Sequence, residues 1–107
     1  MSDSTKICGL IGIATKAGKI VAGTDACMED MQKGKVKLIL VAEDASERTK
    51  KTFEEAAKEY QITMYTILSI QELSKAMGKV NKAVIGIKDI GFSKKMISMI
   101  NGGEMIG

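Results

Sequence analysis

The chain has 107 residues, 45% of them apolar and 27% charged, with a formal net charge of +3, which suits one packed soluble domain spanning 1–107 and not two. No run of about 18 apolar residues occurs, and Met1-Ser2-Asp3-Ser4-Thr5-Lys6 lacks the basic-then-apolar layout of a secretory signal, so no membrane span and a cytoplasmic location are expected. With no His, Trp or Pro, histidine base chemistry and imidazole metal ligation are excluded, and Phe53, Tyr60, Tyr65 and Phe92 are too few for a base-stacking platform.

Ile7, Leu10, Ile11 and Ala14 recur at helical spacing and predict a helix over residues 4–16, stopped by Gly18. A short strand is predicted over 19–22. Gly23-Thr24 opens a second helix with Cys27, Met28 and Met31 on its inner side and Gly34 closing it. Residues 37–42 form a near-continuous apolar run, the mark of a strand covered on both faces, and this is taken as the central strand. Asp44 with Glu47 three residues on resembles a capping box and starts a helix to about Tyr60, whose inner stripe is Phe53, Ala56, Ala57 and Tyr60. A strand over 62–68 follows. Ser69 with Glu72 forms a second capping box, opening a short helix that ends at Met77-Gly78. Residues 83–87 give the last strand. Asp89 precedes a final helix through Phe92, Met96, Ile97 and Ile100, and residues 101–107 are expected to fray.

Alternation of helices with buried strands implies an α/β fold, a three-layer α/β/α sandwich with a four-stranded mixed sheet. Cys8 and Cys27 sit on apolar helix faces and are expected to be buried, reduced packing residues, since no metal cluster assembles around them. The methionines fall mostly on inward helix faces, where they fill gaps. Charge is uneven along the chain. Residues 1–37 carry six Lys against four acids and 73–107 six Lys against two, whereas 38–72 carry four bases against seven acids. Two basic stretches laid side by side would form a positive face that the net charge hides.

Three motifs tempt a catalytic or nucleotide reading and fail. In Gly12-Ile13-Ala14-Thr15-Lys16-Ala17-Gly18-Lys19-Ile20 the glycines are one residue too far apart for a phosphate loop, and Ile20 stands where a magnesium-binding hydroxyl is required. Gly9-Leu10-Ile11-Gly12 has the spacing of a backbone-clamping loop but an apolar filling that suits helix packing. Glu43-Asp44 ends the central strand, yet neighbouring carboxylates in a turn point apart, and Asp44 is already assigned to a helix cap. No enzyme, no cofactor and no small-molecule substrate are expected. Gly23-Thr24-Asp25 is more promising. A Gly and a hydroxyl at a helix start expose unpaired N–H groups and the positive end of the helix dipole, a seat for a phosphate or for base edges.

Gly23-Thr24-Asp25 followed by the Lys33-to-Asp44 stretch resembles the kink-turn-binding ribosomal protein family. Leu73-Ser74-Lys75-Ala76-Met77-Gly78 is similar to that family's Leu-Gly-x-Ala-x-Gly stretch. The strand at 83–87 and Asp89-Ile90-Gly91-Phe92-Ser93-Lys94-Lys95 resemble its small bacterial YlxQ-type branch, so the likeness runs over about residues 6–100. The resemblance implies a sandwich that grips a kinked internal loop of RNA. The family's helix-start motif is Gly-x-Asn-Glu-x-x-Lys, whose Asn and Glu meet sheared G·A pairs and whose Lys holds the backbone. Here Asp25 stands for the Asn, Ala26 for the Glu and Glu29 for the Lys. A later loop, Lys79-Val80-Asn81, is implied to contact a nucleotide extruded from the bend.

Two functional readings follow. In the first the chain is a monomeric RNA-binding accessory of ribosomal or other structured RNA. Lys16, Lys19, Lys33, Lys35, Lys79 and Lys82 then surround a site formed by Gly23, Thr24, Asp25, Glu29, Val80 and Asn81. In the second the fold has lost specific RNA binding and serves as a protein-interaction module.

Overall fold

A computed structural model of the chain describes residues 3–102, with side chains from residue 5 onward. Nine elements follow in order: α1 (Asp3–Lys16), β1 (Ile20–Ala22), α2 (Thr24–Gln32), β2 (Leu38–Val41), α3 (Glu47–Glu59), β3 (Thr63–Thr66), α4 (Ile70–Met77), β4 (Val84–Ile87) and α5 (Ile90–Ile100). The four strands form one mixed sheet in the order β1-β4-β2-β3, with β4 antiparallel to both neighbours and β2 parallel to β3. Helices α2 and α3 cover one face, and α1, α4 and α5 the other. This is the expected α/β/α sandwich.

The apolar run at 38–41 is buried at every position because helices cover both faces. It shares the sheet interior with β4, whose four residues are equally buried, so the expected single central strand is a central pair. Around this pair Ile11, Leu38, Ile39, Leu40, Leu73, Ile85, Ile87 and Met96 are fully enclosed, each contributing about 1.5–3 kcal/mol of burial free energy. Gly86 is required by close approach. A Cβ there would lie 2.9 Å from Val21 Cγ1 and 3.2 Å from Val36 Cγ1, both on stiff branched side chains.

The helix starts match the sequence patterns with one correction. Ser69 and Glu72 form the reciprocal capping box of α4, and Asp89 accepts the Phe92 N–H at the start of α5. At α3 the cap is Ser46, whose Oγ accepts the Thr49 N–H at 3.1 Å, not Asp44. Asp44 lies in the preceding turn, and its carboxylate crosses to the Ile70 N–H at 2.8 Å. It satisfies the first turn of α4 instead of α3, which ties the end of β2 to a helix 26 residues on. At the chain's end, the tail expected to fray begins with Asn101. It closes α5, and its Nδ2 donates to the Tyr65 hydroxyl on β3 at 3.3 Å. The rest of the expected fraying tail, residues 103–107, lies outside the described residues.

Cys27 is fully enclosed under α2, with Sγ 3.5 Å from the Val21 carbonyl oxygen. Burial pushes its thiol up to about 12, with Asp30 adding to the rise. Cys8 corrects the expectation of two buried thiols. It is only half-buried on α1, and its pKa is raised first by that partial burial and then by Glu72. Among the described residues no helix is long and apolar enough to cross a membrane.

Three outcomes are expected. Gly86→Ala lowers unfolding free energy by about 1–3 kcal/mol, the range for overpacking, measured as a shifted urea midpoint; an unchanged midpoint would show that Val21 and Val36 give way freely. In the native state at pH 8 a thiol reagent modifies Cys8 slowly and Cys27 not at all, while both react in denaturant. Because the folded Cys27 pKa is raised, the unfolded chain releases its thiol proton first. That contribution to stability is complete below the ordinary thiol range, about pH 8.5, and is lost as pH rises towards the folded value of about 12. A Cys27→Ala chain should therefore show a flatter alkaline stability profile.

Candidate functional site

The sequence changes from strand to helix at Gly23, whose φ of 98° and ψ of 156° lie where L side chains rarely go. The Gly23 N–H is bonded to the Val84 carbonyl at 2.9 Å, and its own carbonyl accepts the Cys27 N–H at 3.0 Å. This fixes the start of α2 to the start of β4. No side chain caps α2. Its first-turn N–H groups, from Thr24 to Ala26, therefore open outward without an intrahelical partner.

The second component comes from the loop after α4. Leu73 and Met77 anchor α4 in the core, and Ser74 between them is also buried. The Ser74 Oγ accepts the Lys82 N–H at 2.8 Å and donates to the Lys82 carbonyl at 3.3 Å. The Lys79 N–H returns to the Ser74 carbonyl at 2.8 Å. One buried serine thus clamps both ends of the loop, Lys82 through its hydroxyl and Lys79 through its backbone carbonyl. Within the loop Asn81 adopts a left-handed conformation and Val80 is 77% exposed.

Antiparallel pairing of β1 with β4 sets this loop beside Gly23. The Lys82 ammonium would lie 3.7 Å from a Cβ built on Gly23, so it stands over the α2 start. Gly23, Thr24, Asp25, Ala26, Asn81 and Lys82 border a cavity of about 400 Å³. Asn81 also borders a neighbouring cavity of about 670 Å³, which runs past Val80 and Lys79 to Ile70 and Asp44. The positive helix end, worth about half a charge, is joined by a full charge on Lys82 and opposed by Asp25. The arrangement suits an anion or a polar edge that both accepts hydrogen bonds from N–H groups and donates to a carboxylate.

The remaining candidate lysines do not join this group. Lys33 and Lys35 follow the far end of α2, a nine-residue helix about 13 Å long. Lys16 and Lys19 precede β1 at the opposite end from Gly23. Glu29 lies partway along α2, exposed, and is ion-paired to Lys33 at 3.3 Å. The sequence reading missed Ser74, Lys75 and Ile70, which clamp the loop or border the larger cavity. A signal for Ser74 was present: a polar residue between Leu73 and Met77 on the inner stripe of a short amphipathic helix. Among the described residues no group of three or more Cys, Asp or Glu side chains is placed to hold a metal ion.

Comparison with known proteins gives a consistent family. Residues 5–97 match the family described as ribosomal protein L7Ae/L30e/S12e/Gadd45. The chain is 38% identical over 97 residues to the RNA-binding protein YlxQ of Enterococcus faecium, covering 91% of this chain and 93% of that protein. It is 32% identical over 92 residues to the RNA-binding protein YlxQ of Bacillus subtilis, covering 86% and 92%. Among solved structures, a Bacillus halodurans protein described as of unknown function superposes with a TM-score of 0.87 at 34% identity, covering 90% of this chain and 97% of that one. The Giardia lamblia 15.5 kD RNA binding protein shares the fold, with a TM-score of 0.78 at 17% identity and coverage of 100% and 92%.

Removing the clamp should free the loop. Ser74→Ala leaves the Lys82 N–H without its partner at a cost of about 1–3 kcal/mol, and amide exchange at residues 79–82 should quicken more than elsewhere. Uniform exchange across the chain would contradict a local clamp.

Proposed function

The chain belongs to the ribosomal protein L7Ae/L30e/S12e/Gadd45 family, in the branch of the YlxQ proteins, and from that premise we propose that it binds structured RNA at the start of α2, gripping a kinked internal loop closed by sheared G·A pairs. The observation that carries this reading is the Lys82 ammonium held over an uncapped helix start, beside a loop pinned by Ser74. Distorted RNA loops display base edges that a regular duplex hides, and lysines hold the adjoining phosphates.

Each residue has a task in this reading. The first-turn N–H groups at Thr24 and Ala26 donate to phosphate or base acceptors. Asp25 accepts from guanine donors, and Lys79 and Lys82 neutralise the backbone on either side of the bend. The extruded nucleotide rests against Val80 and Asn81, over the larger cavity that reaches Ile70. Ala26 offers no side-chain contact, so backbone donors carry more of the binding than the family motif implies. Glu29 faces the RNA with its charge partly met by Lys33. The role is binding and not catalysis, performed by a cytoplasmic monomer as an accessory of ribosomal or other ribonucleoprotein RNA.

Calorimetric titration of a kink-turn duplex at two salt concentrations tests this. The control is the same duplex with its G·A pairs changed to Watson–Crick pairs. Selectivity of about 10- to 100-fold is expected, given ~1–3 kcal/mol for a good base contact. Lys82→Gln should reduce the slope of log affinity against log salt by about one, and Glu29→Lys should strengthen binding. Equal weak affinity for both duplexes would reduce the claim to unspecific RNA binding. No binding at low salt would overturn it in favour of a protein-interaction module.

A further inference from the structure

The lysines that do not join the candidate site form a group of their own. In the sheet register Ile20 and Leu38 both face Ile87, so the residues one step outward, Lys19, Lys88 and Lys37, stand in one row across three neighbouring strands. The Lys88 N–H donates to the Lys19 carbonyl and the Lys37 N–H to the Ile87 carbonyl, both at 2.8 Å, which holds the three strand ends together. Strands are spaced about 4.8 Å apart, so the row spans roughly 10 Å. Lys16 at the end of α1 and Lys33 and Lys35 after α2 border the same rim.

The acids near this rim are already engaged. Glu29 pairs with Lys33 at 3.3 Å, Asp30 lies 3.9 Å from Lys88, and Asp89 accepts the Phe92 N–H at 2.9 Å. Lys58 and Glu59, at the end of α3, add no net charge. Helices α1, α2 and α3 end at this rim and α5 begins there, which together amounts to about one negative charge. Against it stand Lys16, Lys19, Lys35 and Lys37, all exposed and, among the described residues, in no ion pair. Excess positive charge therefore remains at the rim.

We propose that this rim is a second nucleic-acid surface, which takes the phosphate backbone of an RNA duplex while the α2 start, at the opposite end of the strands, holds the kinked loop. One copy of the chain then bridges two RNA segments. The inference rests on the RNA-binding reading for its partner, although its residues are separate. The chemistry favours a backbone over a protein. Between the lysines lie Ala17, Gly18 and Gly34, exposed and small, where an ordinary protein interface has a central apolar or aromatic anchor. The exposed Ile90, at the start of α5, follows Lys88 and Asp89 outside the lysine row. Small residues let a sugar-phosphate strand approach closely, and ammonium groups contact phosphates without reading sequence.

The test compares the wild type, a far-rim variant (Lys19→Gln, Lys35→Gln, Lys37→Gln) and a control with the same charge change on the first turns of α3, away from the rim (Arg48→Gln, Lys50→Gln, Lys51→Gln). Each is titrated with a plain RNA duplex across a salt series, with thermal melts confirming that all three are folded. The far-rim variant should lose duplex affinity, with its log–log salt slope falling by about 2–3 for up to three lost phosphate contacts. The α3 control should keep both. Saturating the protein with a kinked loop should leave duplex binding in place, giving a ternary complex in sedimentation, and the far-rim variant should still bind the kinked loop. Equal losses in the two variants, an unchanged slope, or displacement of the duplex by the kinked loop would overturn the proposal. If the kinked loop fails to bind but the duplex still depends on the three lysines, the α2 reading fails and the rim stands.

Discussion

Everything at the candidate site depends on the pairing of β1 with β4. These strands are far apart in sequence, yet Gly23 donates to Val84 at the point where one ends and the other begins. That bond places the first strand-to-helix turn of the chain against the loop that leads into β4, and Lys82 above the helix end. The pairing is close only because position 86 has no side chain. Its neighbours Val21 and Val36 fill the space a Cβ would need. A packing constraint in the middle of the sheet thus sets a charge arrangement at its edge.

Much of the fold was legible in the sequence, for reasons that differ by element. The run at 38–41 could be read because a strand covered on both faces has no alternation to hide it. Ser69 with Glu72 could be read because a capping box is local, closed within four residues. Asp44 misled for the opposite reason: its partner, the Ile70 amide, is brought near only by tertiary packing, and nothing local distinguishes it from a cap for the helix that follows. The nearer Ser46 took that role. Cys8 was overcalled because an apolar stripe locates a face of a helix without saying how deeply that face is covered.

The site was half legible. Gly23-Thr24 and residues 79–82 were marked by chain pattern and resemblance, and the fold sets Gly23, Thr24, Asn81 and Lys82 around one cavity, with Lys79 and Val80 on its neighbour. The lysines were grouped by sequence proximity, which is a poor guide here. Three residues of extended chain carry Lys19 about 10 Å from the next turn, and the length of α2 carries Lys33 farther still. Charge that looks continuous along the chain is divided between two ends of a slab. The departures at Asp25, Ala26 and Glu29 also look different in three dimensions. Backbone donors remain at the helix start whatever side chains are placed there, and Glu29 has a lysine one turn away to hold it.

The sheet's outer strands bear on a different matter. β1 has three residues and β3 four, so each edge offers few unpaired backbone groups to a second copy. Long, regular edges act as templates for sheet extension, and brevity is one way to blunt them. A protein that collects along a polyanion experiences a local concentration far above that of its surroundings, the condition under which exposed edges begin to join. Under the proposed RNA binding, edges this short keep crowding on the RNA from ending in aggregation.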